Sequence, residues 1–293
     1  MLPVAPPAAV PPAQLAYPQG ILLDTSSSSG KGDLLVSDKD ASAIFRINTT
    51  SKEVKLIAQW SPALKQVAKG PWMLSNFQGM LLDPDGSIVV PDPSARSLWR
   101  VLPSGEIKLI TQDFLHFDTP QGICSDGQGN YVIADPHRHS IVKVAPDGKA
   151  SYVVEGDLTT GKPLRNPRGI VRDKDGSYVI AEGSMKGVYR VTADGKVVPI
   201  AEGPPFQFPQ GIVQDADGSF LVPDNYARSV FRVTADGKVA PLVAGDPLKN
   251  PRNLVPDGKG GYWLTDPGIP AIVKIEGGKA TVWLPITRPP AGK

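Results

Sequence analysis

Two sets of polar residues recur at matched places along this chain, and both are of types that bind or react. The first is the middle residue of a repeated tripeptide: Gln19, Gln78, Gln121, Arg168, Gln210 and Arg252. Amides and guanidiniums donate hydrogen bonds, and two guanidiniums among four amides form a donor set suited to a carboxylate or phosphate. The second set is an acid ending an apolar run in every repeat: Asp38, Asp92, Asp135, Glu182, Asp224 and Asp266. Asp92, Asp135 and Asp224 are the candidates for acid–base chemistry. The preferred reading of this set is structural, because short acids cap nearby backbone N–H groups or pair with a neighbour. Arg168 shares its repeat with Glu182, and Arg252 with Asp266. Two local ion pairs and an anion site therefore stand as equal readings of the arginines.

Other chemistry is thinly represented. The three histidines are His116, His137 and His139. Three imidazoles could hold zinc with an open position for water. Nothing in their spacing demands a metal, so packing or surface roles are preferred. No Gly-x-Ser-x-Gly elbow is present, which leaves a serine hydrolase triad unsupported. The single cysteine, Cys124, allows no intramolecular disulfide and no Cys-based zinc site. It falls on an apolar strand, where an inert buried thiol is expected.

The elements that position these residues follow from a repeat. The anchors are Pro18-Gln19-Gly20, Phe77-Gln78-Gly79, Pro120-Gln121-Gly122, Pro167-Arg168-Gly169, Pro209-Gln210-Gly211 and Pro251-Arg252-Asn253. Their third positions lie 59, 43, 47, 42 and 42 residues apart, a period typical of propeller blades. Each unit holds four strand-like segments. A short apolar run such as Gly211-Ile212-Val213-Gln214-Asp215 leads to a turn such as Asp173-Lys174-Asp175-Gly176. Next comes a second run ending in the acid, as in residues 87–92, 130–135, 177–182, 219–224 and 261–266. A third reads apolar, apolar, basic, apolar, as in Val188-Tyr189-Arg190-Val191, and a fourth closes the unit, as in residues 196–202 and 279–286. Val, Ile and aromatic residues bounded by turn formers are the strand signal. The fold expected is all-β: one six-bladed β-propeller with four antiparallel strands per blade, spanning 17–293 after a Pro/Ala-rich tail, 1–16. Residues 62–69 hold the best helical stretch, at most two turns, and residues 13–17 could add an edge strand to the last blade.

Composition narrows the function classes. Of 293 residues, 41% are hydrophobic and 20% charged, which suits a folded domain. A net charge of +2 argues against a protein that coats nucleic acid. No run approaches the roughly 18 apolar residues of a membrane span. The N-terminus lacks the basic start and apolar run of an export signal. A linker left after removal of such a signal fits slightly better, so a periplasmic or secreted location is favoured slightly over a cytoplasmic one. A monomer is expected.

One face of the disc should carry only tight turns, apart from a Ser/Gly-rich loop at 26–32 expected to be mobile. The other carries the longer connections, with all three histidines, Lys65, Lys69 and a set of aromatics: Trp60, Trp72, Phe77, Phe114, Phe117, Phe206, Phe208 and Tyr226. Varied loops on a rigid scaffold are where binding concentrates. That face is taken as functional, with the aromatics at its rim.

The segments from Pro120-Gln121-Gly122-Ile123 to Tyr131-Val132-Ile133-Ala134-Asp135, and from Pro167-Arg168-Gly169-Ile170 to Tyr178-Val179-Ile180-Ala181-Glu182, resemble NHL repeats. They are similar also to the wider six-bladed propellers that include the senescence-marker-protein/gluconolactonase hydrolases, the virginiamycin B lyases and the amidating lyases. The resemblance covers about residues 17–286. It implies a divalent cation at the channel mouth, held by Glu, Asn and Asp in the gluconolactonase-like members, and reliance on His in the lyases. None of the six anchor positions here is Glu, Asp, Asn or His, and arginine repels a cation. No catalytic residue is carried over and no cofactor is expected; a divalent metal is what the resemblance alone admits. The sequence reading is a binding module for a small anionic molecule or a peptide, using the six anchor residues and Tyr226. The alternative is a lactonase-like hydrolase or lyase with a rearranged site.

Overall fold

The computed structural model describes residues 15–26, 32–60, 77–159 and 162–286. They form six four-stranded sheets, each made of four consecutive antiparallel strands in sequence order. The chain is a six-bladed β-propeller, and it closes whole blade against whole blade. Leu15, Ile21, Leu34 and Phe45 of the first blade pack with Trp263 and Ile272 of the last. Leu15 and Ala16 are buried, so the packed body begins inside the stretch read as tail. Among the described residues the last sheet has four strands and gains no fifth from the N-terminus. Residues 62–69, residues 27–31 of the Ser/Gly loop, and Lys65, Lys69 and Trp72 lie outside the described residues.

The second strands are the most buried elements. Ile88–Asp92, Tyr131–Asp135, Phe220–Asp224 and Tyr262–Asp266 are buried at every position. Each lies between neighbouring strands and between neighbouring blades, which is why both of its faces are apolar. They begin one residue later than the sequence suggests and end on the same acid. Third strands such as Gly187–Val191 and Ser229–Val233 are buried except at the basic residue. Fourth strands such as Val197–Glu202 and Val239–Ala244 sit at the outer edge and are half exposed.

First strands line the axis, and two are much shorter than their apolar runs. Only Leu81–Leu82 and Val213–Gln214 pair within their sheets. Anchor glycines bond across to the next blade: Gly211 N donates to the Arg252 carbonyl, and Gly169 N to that of Gln210, although the first strand of the Gly169 blade keeps its full length, Pro167–Arg172. A Cβ at Gly79 would lie 2.3 Å from the Gln121 carbonyl oxygen, and one at Gly122 2.1 Å from that of Arg168. Only glycine admits that approach. The sixth blade has Asn253 instead, and its Nδ2 donates to the carbonyls of Gln19 and Gln78, at 3.1 Å each. This contact draws the channel into a waist, with one rim on the loop face and another on the turn face.

Candidate functional site at the channel mouth

The acid ring is part of the scaffold of the loop rim. Asp135 accepts from the backbone N–H groups of Asp118 (2.8 Å), Thr119 (2.9 Å) and Arg138 (3.1 Å). Asp224 accepts from Gln207 (2.7 Å), Phe208 (2.9 Å) and Ala227 (2.9 Å). Asp38, Glu182 and Asp266 repeat the pattern with Ala16 and Ala41, with Arg165 and Met185, and with Asn250 and Gly268. In each case one carboxylate joins the connection entering the blade to the turn between its second and third strands. Asp92 accepts from Ser94 and Ala95; residues 75 and 76, its counterparts to Asp118 and Thr119 by spacing, lie outside the described residues. All six acids are buried. Burial raises Asp38, Asp135 and Asp266 against these lowering hydrogen bonds, and pushes Asp92 up to about 7. Of the candidate catalytic acids, Asp135 and Asp224 are thus loop staples with both oxygens on backbone N–H groups, while Asp92 is buried and holds one loop through Oδ1.

This occupation removes one of the two readings of the arginines. The expected ion pairs Arg168–Glu182 and Arg252–Asp266 do not form among the described residues, because those carboxylates hold backbone N–H groups. Arg168 donates instead to Asn166 Oδ1 (2.7 Å), Gln121 Oε1 (3.2 Å) and Gln210 Oε1 (3.3 Å). Arg252 Nη1 donates to the same Gln210 oxygen at 2.9 Å. Two guanidiniums therefore converge on one neutral amide oxygen. Burial, reinforced by the positive charge of Arg252, pushes Arg168 down to about 10. Burial also lowers Arg252, with the Tyr17 hydroxyl acting the other way. Gln210 Nε2 and Arg252 Nε are buried and have no partner among the described residues.

A recess of ≈20 Å³ lies at the waist among Gln78, Gln121, Arg168, Gln210 and Asn253. It holds one water-sized group. Gln19 is buried and contributes its carbonyl to the waist, accepting from Thr265 Oγ1 at 2.5 Å. Above the recess, Phe208 covers the Arg168 guanidinium at 4.7 Å, and Tyr226 stacks on Phe208 at 5.1 Å. Tyr226 is 66% exposed. Of the aromatics expected at the rim, Trp60, Phe77, Phe117 and Phe206 are buried in the inter-blade cores. The joints between blades need large side chains where loops cross them.

The histidines do not assemble into a metal centre. His116 Nδ1 bonds Asp113 at 2.7 Å, and His139 Nδ1 bonds the Arg165 carbonyl at 2.5 Å. His139 has φ 55°, like Ser42, Arg96, Lys186 and Arg228 at the same turn position of their blades, so it ends a loop. Among the described residues no three His, Cys, Asp or Glu side chains gather closely enough to share an ion.

Sequence reasoning missed a larger space on the other side of the waist. The turn-side half of the channel encloses a chamber of ≈360 Å³, lined by first-strand residues of all six blades, with Cys124, Ser125 and Arg172 among them. The signal for it was the aliphatic run after each anchor, which was read as the first strand of a blade.

No family model and no curated protein matches the chain. Solved structures do. The chain is similar to virginiamycin B lyase from Staphylococcus aureus, at 20% identity and TM-score 0.68, over 94% of this chain and 86% of that one. A putative gluconolactonase aligns at 16% identity and TM-score 0.67, over 94% and 92%. A chain of a nidogen–laminin complex aligns at 19% identity and TM-score 0.66, over 85% and 91%. At such identities the likeness is one of fold. It shows the six-bladed propeller fold alone, and the same fold carries a lyase, a putative gluconolactonase and a chain of a nidogen–laminin complex. Among the described residues no helix is long and apolar enough to cross a membrane.

Proposed function

We propose that this propeller is a binding module whose loop-side mouth takes an anionic group, a carboxylate of a small molecule or of a peptide. One observation carries the reading: Arg168 and Arg252 meet at Gln210 without a carboxylate partner among the described residues, while the acids of their own blades hold backbone N–H groups. Packing two like charges together in a half-buried place costs free energy, and an anion bridging them returns it. A carboxylate oxygen fits the small recess, where Gln210 Nε2 and Arg252 Nε offer unused donors. Phe208 and Tyr226 then offer aromatic faces to a planar or apolar part of the ligand. The lyase and lactonase neighbours suggest an enzyme instead, but the acids such chemistry would use here are bound to the loops.

The test is a thermal-shift screen of mono- and dicarboxylates, inorganic phosphate and C-terminal peptides, at low and high salt. The expected result is a salt-sensitive stabilisation by carboxylates that falls about 10- to 100-fold in affinity in Arg168→Gln or Arg252→Gln, the loss of one charged hydrogen-bonding partner. No anion-dependent shift in the wild type, or an undiminished shift in both variants, removes the proposal.

A further inference from the structure

We infer that the chamber on the turn side of the waist is a second binding site, for a small molecule with an apolar body and one anionic end. Its volume, ≈360 Å³, lies at the small end of the range for ligand pockets, about 300–1,000 Å³. Asn253, bonded to the Gln19 and Gln78 carbonyls, and the close-packed anchor glycines separate it from the mouth. A ligand there is independent of one held by Arg168 and Arg252.

The lining is apolar on most sides. Leu22, Leu81, Val171, Val213 and Val255, one from each of five blades, keep part of their surface uncovered although they sit near the axis of the disc. Aliphatic surface left open in the middle of a protein is the usual wall of a ligand cavity. The third blade supplies Cys124 at this level, and burial pushes its thiol up, so it packs as a neutral group.

Polarity is confined to one arc. Ser125 and Arg172 end the first strands of adjacent blades and line the chamber. Among the described residues Arg172 is its single charged lining residue, and it is exposed at the open end of the chamber. The counterparts of Arg172 one residue before the turn acid are Leu23, Leu82, Ser125, Gln214 and Pro256, so the cation is specific to one blade. The surrounding turn acids are committed elsewhere. Asp173 pairs with Arg190 at 2.7 Å and accepts from Gln214 at 2.8 Å. Asp126 is held by the N–H groups of Gln128 and Asn130. The Arg172 guanidinium lies against the backbone of Gly127, where a Cβ would come within 3.1 Å of Nη1. Among the described residues it has no ion-pair partner. A cation left without a counter-ion at the edge of an apolar chamber selects an amphipathic anion, its carboxylate at Arg172 and Ser125 and its body against the aliphatic ring.

Decanoate is the probe, with decanol as its uncharged partner. Met80 lines the chamber, so its ¹³C-methyl NMR signal, identified by its absence in Met80→Leu, reports occupancy of this space and not of the mouth. The expected result is a saturable shift of the Met80 signal with decanoate. Affinity should fall about tenfold for Arg172→Gln and for decanol, the loss of one charge-assisted contact. Arg168→Gln should leave it unchanged. An unmoved Met80 signal at high decanoate overturns the site. Equal binding by Arg172→Gln or by decanol overturns its preference for an anion.

Discussion

The two rims of the channel carry acids in every blade and use them in opposite ways. On the loop rim each acid is buried and holds backbone N–H groups, of two loops for all but Asp92, which among the described residues holds those of Ser94 and Ala95. On the turn rim the acids pair with the basic residue of the third strand: Asp83 with Arg100 at 2.8 Å, Asp173 with Arg190 at 2.7 Å, Asp215 with Arg232 at 2.7 Å. Hydroxyls from the next blade join them, Tyr131 reaching Asp83 at 2.6 Å and Tyr262 reaching Asp215 at 2.5 Å. The difference teaches how charge is left over. Turn acids hold a backbone N–H of their own turn with one oxygen, as Asp173 does with Lys174 and Asp215 with Ala216, and keep the other for a side-chain cation. Irregular loops leave N–H groups that must be paired when buried. They take the carboxylates, and Arg168 and Arg252 are left without one.

The contrast has energetic consequences, and the largest concerns the staples. Asp224→Ala strands three buried N–H donors and should cost about 3–5 kcal/mol in urea unfolding. Arg190→Gln on the turn rim, where both side chains are partly hydrated, should cost about 1–2 kcal/mol. Equal losses would erase the distinction between the rims.

Acid dependence separates the rims next. Asp92 is raised to about 7 by burial. The folded protein then holds a proton that the unfolded chain has released, so this residue makes stability highest below about pH 4, declining to about pH 7 and level beyond. Asp92→Asn should flatten that decline and narrow its deficit against the wild type as pH rises. On the turn rim the sign reverses. Burial raises Asp173 and Asp215, but hydrogen bonds from Gln214 and Arg190, and from Tyr262, Ala216 and Arg232, more than offset it, and both lie below the usual value. Their contribution is present above pH 4 and is lost as pH falls through the folded values. Stability curves of Asp92→Asn and Asp173→Asn from pH 3 to 8 should therefore diverge from the wild type in opposite directions.

Smaller effects test the chamber wall. Cys124→Ala removes one buried thiol and should cost about 1 kcal/mol or less. Iodoacetamide should label Cys124 in urea and leave it unlabelled in the native protein at pH 8, because the thiol is 8% exposed and burial raises its pKa. Rapid native labelling would mean that the chamber wall opens.

The fold was legible because each blade repeats its punctuation. Turn acids and glycines, with φ near 82–87° at Gly86, Gly176 and Gly218, and an acid at the end of the second strand set the elements to within a residue. The shortened first strands were not legible, since the apolar runs around Leu81–Leu82 and Val213–Gln214 look like those of the other blades. The mouth was legible as a list of residues and not as a network. Spacing put Arg168 beside Glu182, whereas the N–H groups of Arg165 and Met185 compete for that carboxylate and win. The chamber was hidden because Leu22, Val171 and Val255 look like ordinary core residues until the ring closes around an axis.

The most direct test of the account is calorimetric titration of the carboxylate that stabilises the wild type best into the wild type and into Arg168→Gln/Arg252→Gln. The account predicts measurable binding that weakens with salt and at least a 100-fold loss in the double variant, about 3 kcal/mol. Binding of equal strength to both proteins would contradict it.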